Sequence, residues 1–345
     1  MKFTGSIRSV KEGEIIFANE PLLRIEAPLI QAQIMETAIL NIVNYQILIA
    51  TKAARIKHLC PDEVCMEFGT RRAHEFDAAI WGTRASIIGG FDATSNVKAA
   101  KLFNIPCSGT HAHSFVQAYE DEEVAFKKYA AAHKDCYFLV DTYDTLRSGI
   151  PTAIKVADEL KDKINFHGIR LDSGDIAYLS KEARKMLDEA GYPNAKIVAS
   201  NDLDEDTITH LKQEGACIDA WGVGTKLITA YDNPALGAVY KLSCLENDNG
   251  EMIDRLKVSE NPAKLTVPGV KRVYRIINTD TGMAAGDYIA LEKEDVNAEQ
   301  SIKLFHPTHT YLAKEVENFK AIDIHEDIFV NGKQVYEVPT VQESA

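Results

Sequence analysis

The sequence predicts an α/β protein in which a parallel sheet curls into a barrel or partial barrel, with β-rich segments at both ends. Three observations predict it. From Cys65 to about Thr225, strand-like apolar runs alternate with helical segments. Six of those runs end in a polar or glycine-rich cluster. Residues 3–27, and those after about Pro234, lose this rhythm and read as short strands separated by turns. In a doubly wound sheet only the strand ends near the switch point meet. In a barrel all of them meet at one mouth, so polar clusters at every end favour the barrel.

The bulk properties fit a large domain or two. The 345 residues are 46% hydrophobic and 26% charged, an ordinary globular balance. The net charge of −13 argues against general nucleic-acid binding. It leaves room for anionic ligands, because local arginines and helix N-termini set the field inside a site. None of the six cysteines, Cys60, Cys65, Cys107, Cys136, Cys217 and Cys244, forms a C-x-x-C pair. They read as buried free thiols of a reducing compartment. No signal peptide or membrane-length apolar run is visible, so a cytoplasmic protein without a membrane or nucleic-acid partner is expected.

In chain order, Phe3–Val10, Gly13–Phe17 and Leu22–Glu26 read as short antiparallel strands. Pro28 opens a helical stretch to about His58. Its apolar residues Leu29, Ile34, Ala38, Ile42 and Ile49 fall near helical spacing, and other apolar faces predict burial on most sides. The barrel strands are expected at Val64–Phe68, Ile105–Ser108, Tyr137–Val140, Phe166–Leu171, Lys196–Ala199 and Ile218–Val223. Helices are expected at Phe115–His133, Thr152–Lys161, Ser180–Ala190 and Glu205–Gln213. Further strands are expected at Leu236–Leu245 and Val273–Asn278, with a hairpin turning at Asn331-Gly332 and a frayed end at Val341–Ala345. The expected domains are residues 1–60, 61–235 for the barrel with its site, and 236–345 packing with the first piece.

The six strand ends carry Gly69-Thr-Arg-Arg, Gly109-Thr-His-Ala-His-Ser, Asp141-Thr-Tyr-Asp, Asp172-Ser-Gly-Asp, Ser200-Asn-Asp and Gly224-Thr-Lys. The stretch Ile169–Asp175 is the richest. Arg170 offers a fork of donors for a carboxylate or phosphate. Asp172 and Asp175 could bind a cation, hold hydroxyls or stabilise positive charge, and Gly174 admits a ligand to the backbone. The same stretch could be only a turn, or the two carboxylates a glycosidase pair. A glycosidase would leave the phosphate-like elements unexplained. Those are Arg71 and Arg72, which suit phosphate oxygens, and the glycine-bounded turn at Gly222 and Gly224. The plain alternatives are a surface pair at a helix start and ordinary turn geometry. His111-Ala-His113 admits a metal pair, a phosphoryl-attacking imidazole or a structural side chain. A metal-dependent barrel hydrolase would need histidines on later strand ends, where this chain has Asp, Ser, Asn and Gly. No Walker A pattern is present.

Seven motifs in order carry a resemblance: Glu67-Phe-Gly-Thr-Arg-Arg-Ala, Gly89-Gly-Phe-Asp-Ala-Thr-Ser-Asn, Ser108-Gly-Thr-His-Ala-His-Ser, Val140-Asp-Thr-Tyr-Asp, Ile169-Arg-Leu-Asp-Ser-Gly-Asp, Ser200-Asn-Asp and Trp221-Gly-Val-Gly-Thr. Together they resemble nicotinate phosphoribosyltransferase through nearly the whole chain. The stretch from Glu12 to Ala53 resembles the lead-in shared with quinolinate phosphoribosyltransferase. The resemblance implies a type II phosphoribosyltransferase, an incomplete α/β barrel with an α/β sandwich-type domain, working as a homodimer. It implies that nicotinate and 5-phosphoribosyl pyrophosphate give nicotinate mononucleotide and pyrophosphate, with Mg²⁺ and coupled ATP hydrolysis, as an entry to NAD.

The resemblance also implies roles. His113, rather than His111, is the phosphorylated histidine, assisted by Ser114. Asp172, Asp175 and Asp202 serve ribose and Mg²⁺, with His113, Asp172 and Asp202 as the catalytic set. Arg170 holds nicotinate or a phosphate, Arg71 and Arg72 the pyrophosphate or base carboxylate, and Phe68 stacks on the pyridine. Gly222, Gly224 and Thr225 cradle the 5-phosphate. Thr110, Asp141, Ser173, Gly174, Ser200 and Asn201 complete the substrate-binding set. Nicotinamide-using enzymes carry an acidic residue near the base, where Thr94-Ser95-Asn96 stands here and suits the acid better. Quinolinate enzymes bind a dicarboxylate with more basic residues. By the resemblance, a family segment before the point matching Met1, with a Thr-Asp-x-Tyr-like motif that completes the partner's site, and part of the C-terminus are expected to be missing. A shortened, inactive homologue is therefore the alternative expectation.

Overall fold

The computed structural model describes residues 2–257, 267–306 and 309–345. They divide into two compact units: Met1–Asn41 with Ala238–Val338, and Ile42–Gly237 with Pro339–Ala345. The division falls inside the long helix, not near residue 60.

The first unit opens with β1 (Ser6–Val10) paired antiparallel to β2 (Leu23–Glu26). The expected strand at Gly13–Phe17 does not form. Its Ile15 carbonyl and Glu14 carboxylate accept instead from the guanidinium of Arg275. Helix α1 (Leu29–Leu59) follows Pro28. Burial on most sides does not hold: Leu48, Ile49, Lys52, Ala53 and Ile56 are buried, all in the C-terminal half. Ile30, Ile34 and Ile42 are exposed. By length and composition α1 is apolar enough to cross a membrane, a run the sequence reading passed over.

The second unit is built on β3 (Val64–Glu67), α2 (Phe76–Ile88), β4 (Ala93–Thr94), α3 (Val97–Phe103), α4 (His113–Gln117), α5 (Glu122–Ala132), β5 (Asp135–Leu139), α6 (Ile150–Glu159), β6 (Asn165–Leu171), α7 (Ile176–Glu189), β7 (Lys196–Ser200), α8 (Glu205–Gln213), β8 (Ala220–Val223) and α9 (Thr225–Ile228). Its six strands pair in parallel in the order β4-β3-β8-β7-β6-β5. Because the last strand, β8, returns to pair with the first, β3, the sheet curls. Its edges β4 and β5 do not pair, so the barrel has one open seam. The expected strand Ile105–Ser108 reduces to a single parallel bridge between Cys107 and Thr94. The expected helix Phe115–His133 is two helices, because the Asp121 carboxylate caps α5 by accepting from Val124 N–H at 2.9 Å.

The two-residue period of the strands sorts their side chains. Cys65, Phe138, Val140, Ile169, Leu171, Ile197, Ala199, Trp221 and Val223 join the large core shared with the helices. Alternate residues Met66, Ala93, Val198 and Ala220 form a second, smaller apolar cluster with Phe68 and Tyr137, filling the barrel interior. One step further along, the same inner positions are Phe68, Arg170, Ser200 and Gly222. A bulge on β6 sets this phase: Cys136 opposes Phe166, whereas Tyr137 opposes Gly168, skipping His167. Gly168 has φ +150°, and a Cβ there would lie 1.9 Å from the Lys196 carbonyl oxygen.

The chain returns to the first unit with β9 (Cys244–Glu246), β10 (Met252–Asp254), β11 (Lys271–Asn278), β12 (Ala284–Leu291), β13 (Ser301–Phe305), β14 (Ala313–Glu317), β15 (Phe319–Asp323), β16 (His325–Val330) and β17 (Lys333–Gln334). The expected strand Leu236–Leu245 shrinks to β9. β16 and β17 join β1 and β2 in one sheet. Asn331 and Gly332 turn between them with φ +48° and +76°, the left-handed pair a two-residue hairpin needs. The last residues are not frayed. Thr340 and Glu343 form a capping box on α10 (Val341–Ser344), and Val341 enters the core of the second unit. All six cysteines are free, but only Cys60, Cys65 and Cys136 are buried.

Replacing Gly168 with Ala should destabilise the chain by about 3 kcal/mol or more, since the clash is with backbone and the φ is unsuited to a side chain. Chemical denaturation of the variant would show this. An unchanged midpoint would contradict the assigned bulge.

Candidate active site

Arg170 is the hub of the barrel mouth. Its Nε donates to Ser200 Oγ at 2.8 Å, Nη1 to Thr110 Oγ1 at 2.8 Å and Nη2 to Asp172 Oδ1 at 2.7 Å. The guanidinium stands 5.4 Å from the centroid of the Phe68 ring. Ser200 also donates to Asp172 Oδ1. Burial works against ionising Asp172, but Ser200 and Arg170 outweigh it and hold the carboxyl below its ordinary range. Gly222 is required beneath, because a Cβ there would approach the Phe68 ring carbons to 2.6 Å. Phe68 therefore forms the floor that carries Arg170.

His113 stands at the start of α4. Its Nδ1 lies 3.3 Å from Thr142 Oγ1, and its Nε2 lies 3.5 Å from Asp172 Oδ2 and 3.9 Å from Asp141 Oδ1. Asp141 is nearly buried. Its Oδ2 accepts from Asp172 N–H at 3.0 Å and Ser173 Oγ at 2.6 Å, while Oδ1 has no hydrogen-bond partner among the described residues. The ends of β5 and β6 thus converge on one imidazole. The loop carrying Asp141 is held by a π turn at Thr145–Gly149, whose Gly149 packs so closely that a Cβ would meet the Val140 carbonyl oxygen at 1.8 Å.

His111 does something different. It is buried, and its Nε2 accepts from Leu139 N–H at 3.2 Å. Phe115, Phe126, Tyr129 and Phe138 surround the ring. Burial pushes its pKa down to about 4, so it is neutral near pH 7. Among the described residues, no group of three or more His, Cys, Asp or Glu is placed to hold a metal ion. His111 lies in this cage, whereas His113 faces Asp141 and Asp172.

One buried group was not foreseen. Glu67, the last residue of β3, is fully buried, with Oε1 accepting from Gly69 N–H and Oε2 from Thr83 Oγ1 at 2.9 Å and Thr94 Oγ1 at 2.7 Å. Burial pushes its pKa up against these donors. Glu67 thereby ties the turn bearing Arg71 and Arg72 to α2 and to the Thr94-Ser95-Asn96 turn, where Asn96 caps α3 and Ser95 is exposed beside Gly109. Its place on the outer face of β3, opposite Phe68, was the available signal. Arg71 and Arg72 lie in a 3-10 turn, exposed, and among the described residues neither makes an ion pair.

The remaining candidates are spread around this centre. Asp175 caps α7 by accepting from Tyr178 N–H at 3.0 Å, so the structure gives it a helix-capping place. Gly174 has φ +81° and Asn201 φ +95°, turning the chain away from β6 and β7. Asp202 and Ser114 are exposed. Gly224 precedes α9, with Thr225 as its first residue, and a Cβ on Gly224 would come to 3.3 Å from the Phe68 carbonyl oxygen.

Comparison with known proteins bears on this geometry. The profile of the nicotinate phosphoribosyltransferase (NAPRTase) family matches residues 64–260, with that enzyme's N-terminal domain at 1–44 and C-terminal domain at 270–345. A Bacillus subtilis nicotinate phosphoribosyltransferase is 66% identical over 335 residues, covering 97% of this chain and 68% of the relative. One from Mycobacterium tuberculosis is 40% identical, covering 86% of this chain and 62% of the relative. This chain thus spans roughly two thirds of their length. The crystal structure of human nicotinic acid phosphoribosyltransferase superposes with a TM-score of 0.83 at 28% identity, covering 99% of this chain and 75% of that one.

Two outcomes follow from the buried groups. The folded-state pKa of His111 is depressed from 6.5 to about 4, so the stability tied to its neutral form is present above pH 6.5 and is lost as pH falls toward 4. Urea titrations should show wild type losing up to about 3 kcal/mol more than His111→Gln over that interval, and equal slopes would refute it. Glu67→Ala should cost about 2 to 4 kcal/mol by stranding buried donors, read by the same titration at pH 7. A loss below about 0.5 kcal/mol would show that those donors find other acceptors.

Proposed function

Since the chain belongs to the nicotinate phosphoribosyltransferase family, we propose that it joins nicotinate to 5-phosphoribosyl pyrophosphate, releasing pyrophosphate and forming nicotinate mononucleotide for NAD biosynthesis. The observation that carries this reading is the Arg170 hub: a fixed cation over an aromatic floor, beside carboxylates, at the mouth of a barrel. Arg71 and Arg72, exposed and without ion pairs among the described residues, suit an anionic ligand.

In the reaction, the pyridine nitrogen attacks the anomeric carbon, and the bond from that carbon to the pyrophosphate oxygen breaks. Positive charge develops on the ribosyl ring, where Asp172 Oδ2 would stabilise it. Mg²⁺ suits the oxygen donors there, since Asp172 Oδ2 and the unpartnered Asp141 Oδ1 are hard ligands and Mg²⁺ commonly takes one or two carboxylates with substrate phosphates. When bound, it would neutralise charge on the departing pyrophosphate. Asp202, Asn201, Ser173 and Thr225 belong to the same reading as contacts to ribose and phosphate.

ATP coupling through His113 is the finer part of the proposal. An imidazole nitrogen would attack the γ-phosphorus, ADP would leave, and water would later hydrolyse the phosphohistidine. The polar ring of oxygens around His113, and the burial of His111, support choosing His113. The homodimer implied by the resemblance belongs to this reading too, and the exposed Ile30 and Ile34 of α1 suit a contact surface.

Purified chain given nicotinate, 5-phosphoribosyl pyrophosphate, Mg²⁺ and ATP should form nicotinate mononucleotide. Turnover of nicotinamide or quinolinate instead would overturn the substrate. His113→Ala should abolish ³²P transfer from γ-labelled ATP to the protein, and persisting label would refute that role. Arg170→Lys should cut kcat/KM by about two orders of magnitude, on the order of 3 kcal/mol, because an ammonium cannot hold three partners in one plane.

A further inference from the structure

We infer that His111 is a positioning residue whose Nε2 takes the place of a missing strand partner on the open edge of β5 and thereby holds His113 against Asp141 and Thr142. Among the described residues β5 pairs only with β6, so its other side faces the seam. There the Leu139 amide is taken by His111 Nε2 at 3.2 Å. A buried amide without an acceptor is costly, and among the described residues no strand pairs on that side to supply a carbonyl.

The position of this bond matters as much as its existence. Leu139 lies two residues before Asp141, and His111 two residues before His113. The bond therefore pins together the two segments that carry the facing groups, His113 on one side of the seam and Asp141 with Thr142 on the other. Thr110, next to His111, receives Arg170 Nη1 at 2.8 Å and fixes the same turn to β6. The aromatic cage, with ring centroids 4.8 Å away for Tyr129 and 5.5 Å for Phe115, prevents the imidazole from swinging out. Ring volume alone would be met by Phe. What Phe lacks is the acceptor, and a Gln amide oxygen reaches about as far as Nε2.

That His113 performs chemistry rests on the proposed function, whereas the tether does not, and two variants separate them. In the full chain, His111→Phe should speed hydrogen exchange at the Leu139 amide by about tenfold or more, whereas His111→Gln stays within about threefold of wild type. Turnover should follow: kcat falls about tenfold in His111→Phe with the KM for nicotinate unchanged, and His111→Gln restores it. Should wild type prove inactive, hydrogen exchange at the Leu139 amide still decides, faster in His111→Phe and not in His111→Gln. If Phe prevents folding, His111→Leu replaces it. Wild-type exchange at Leu139 in the Phe or Leu variant, or identical behaviour of Phe and Gln, would overturn the inference.

Discussion

The return of β8 to β3 is the pairing on which the rest of this site depends. It bends a six-stranded parallel sheet until its strand ends face one another, and it leaves one seam, between β4 and β5. Every group at the mouth is placed by that curvature. Phe68 at the end of β3 meets Gly222 on β8 and lies beneath Arg170 on β6. In a flat sheet β3 and β6 would lie three strand spacings apart, about 14 Å, too far for that stacking.

Electrostatics then decides what the mouth can hold. Arg170 has one anionic partner, Asp172, and two neutral ones, Ser200 and Thr110. The pair is partly buried, so water screens it less than a surface pair. Asp172 keeps Oδ2 free of this network and turned toward His113. The negative charge of the whole chain does not set the field here, because Arg170, Arg71 and Arg72 lie close to the mouth and the acidic excess is spread over 345 residues.

Much of this was legible in the sequence, for local reasons. The two-residue alternation, the polar clusters after each strand and the Asn331-Gly332 turn are short-range signals. Arg170, Asp172 and Ser200 stand out because such residues are out of place at the end of an apolar run, whereas the choice of His113 comes from the family resemblance. What escaped depended on the other side of a contact. A glutamate closing a strand looks solvent-facing until the hydroxyls of Thr83 and Thr94 are seen to meet it. The apolar faces of α1 were read as buried, although composition cannot say what covers them. Spacing also treats His111 and His113 alike. Only the fold sends one into an aromatic cage and the other to the carboxylates.

The open seam explains why a histidine stands where a strand could. A seventh strand would satisfy the β5 edge with a full ladder, but its backbone would run through the space between β4 and β5. The turn from Thr110 to His113 occupies that space and must present a ring to Asp141 and Asp172 from outside the sheet. A single imidazole acceptor satisfies the one amide nearest the mouth and leaves the turn its own path. Closure of the barrel and access of His113 to the carboxylates compete for the same gap, and on its β5 side His111 takes the Leu139 amide without laying a strand there.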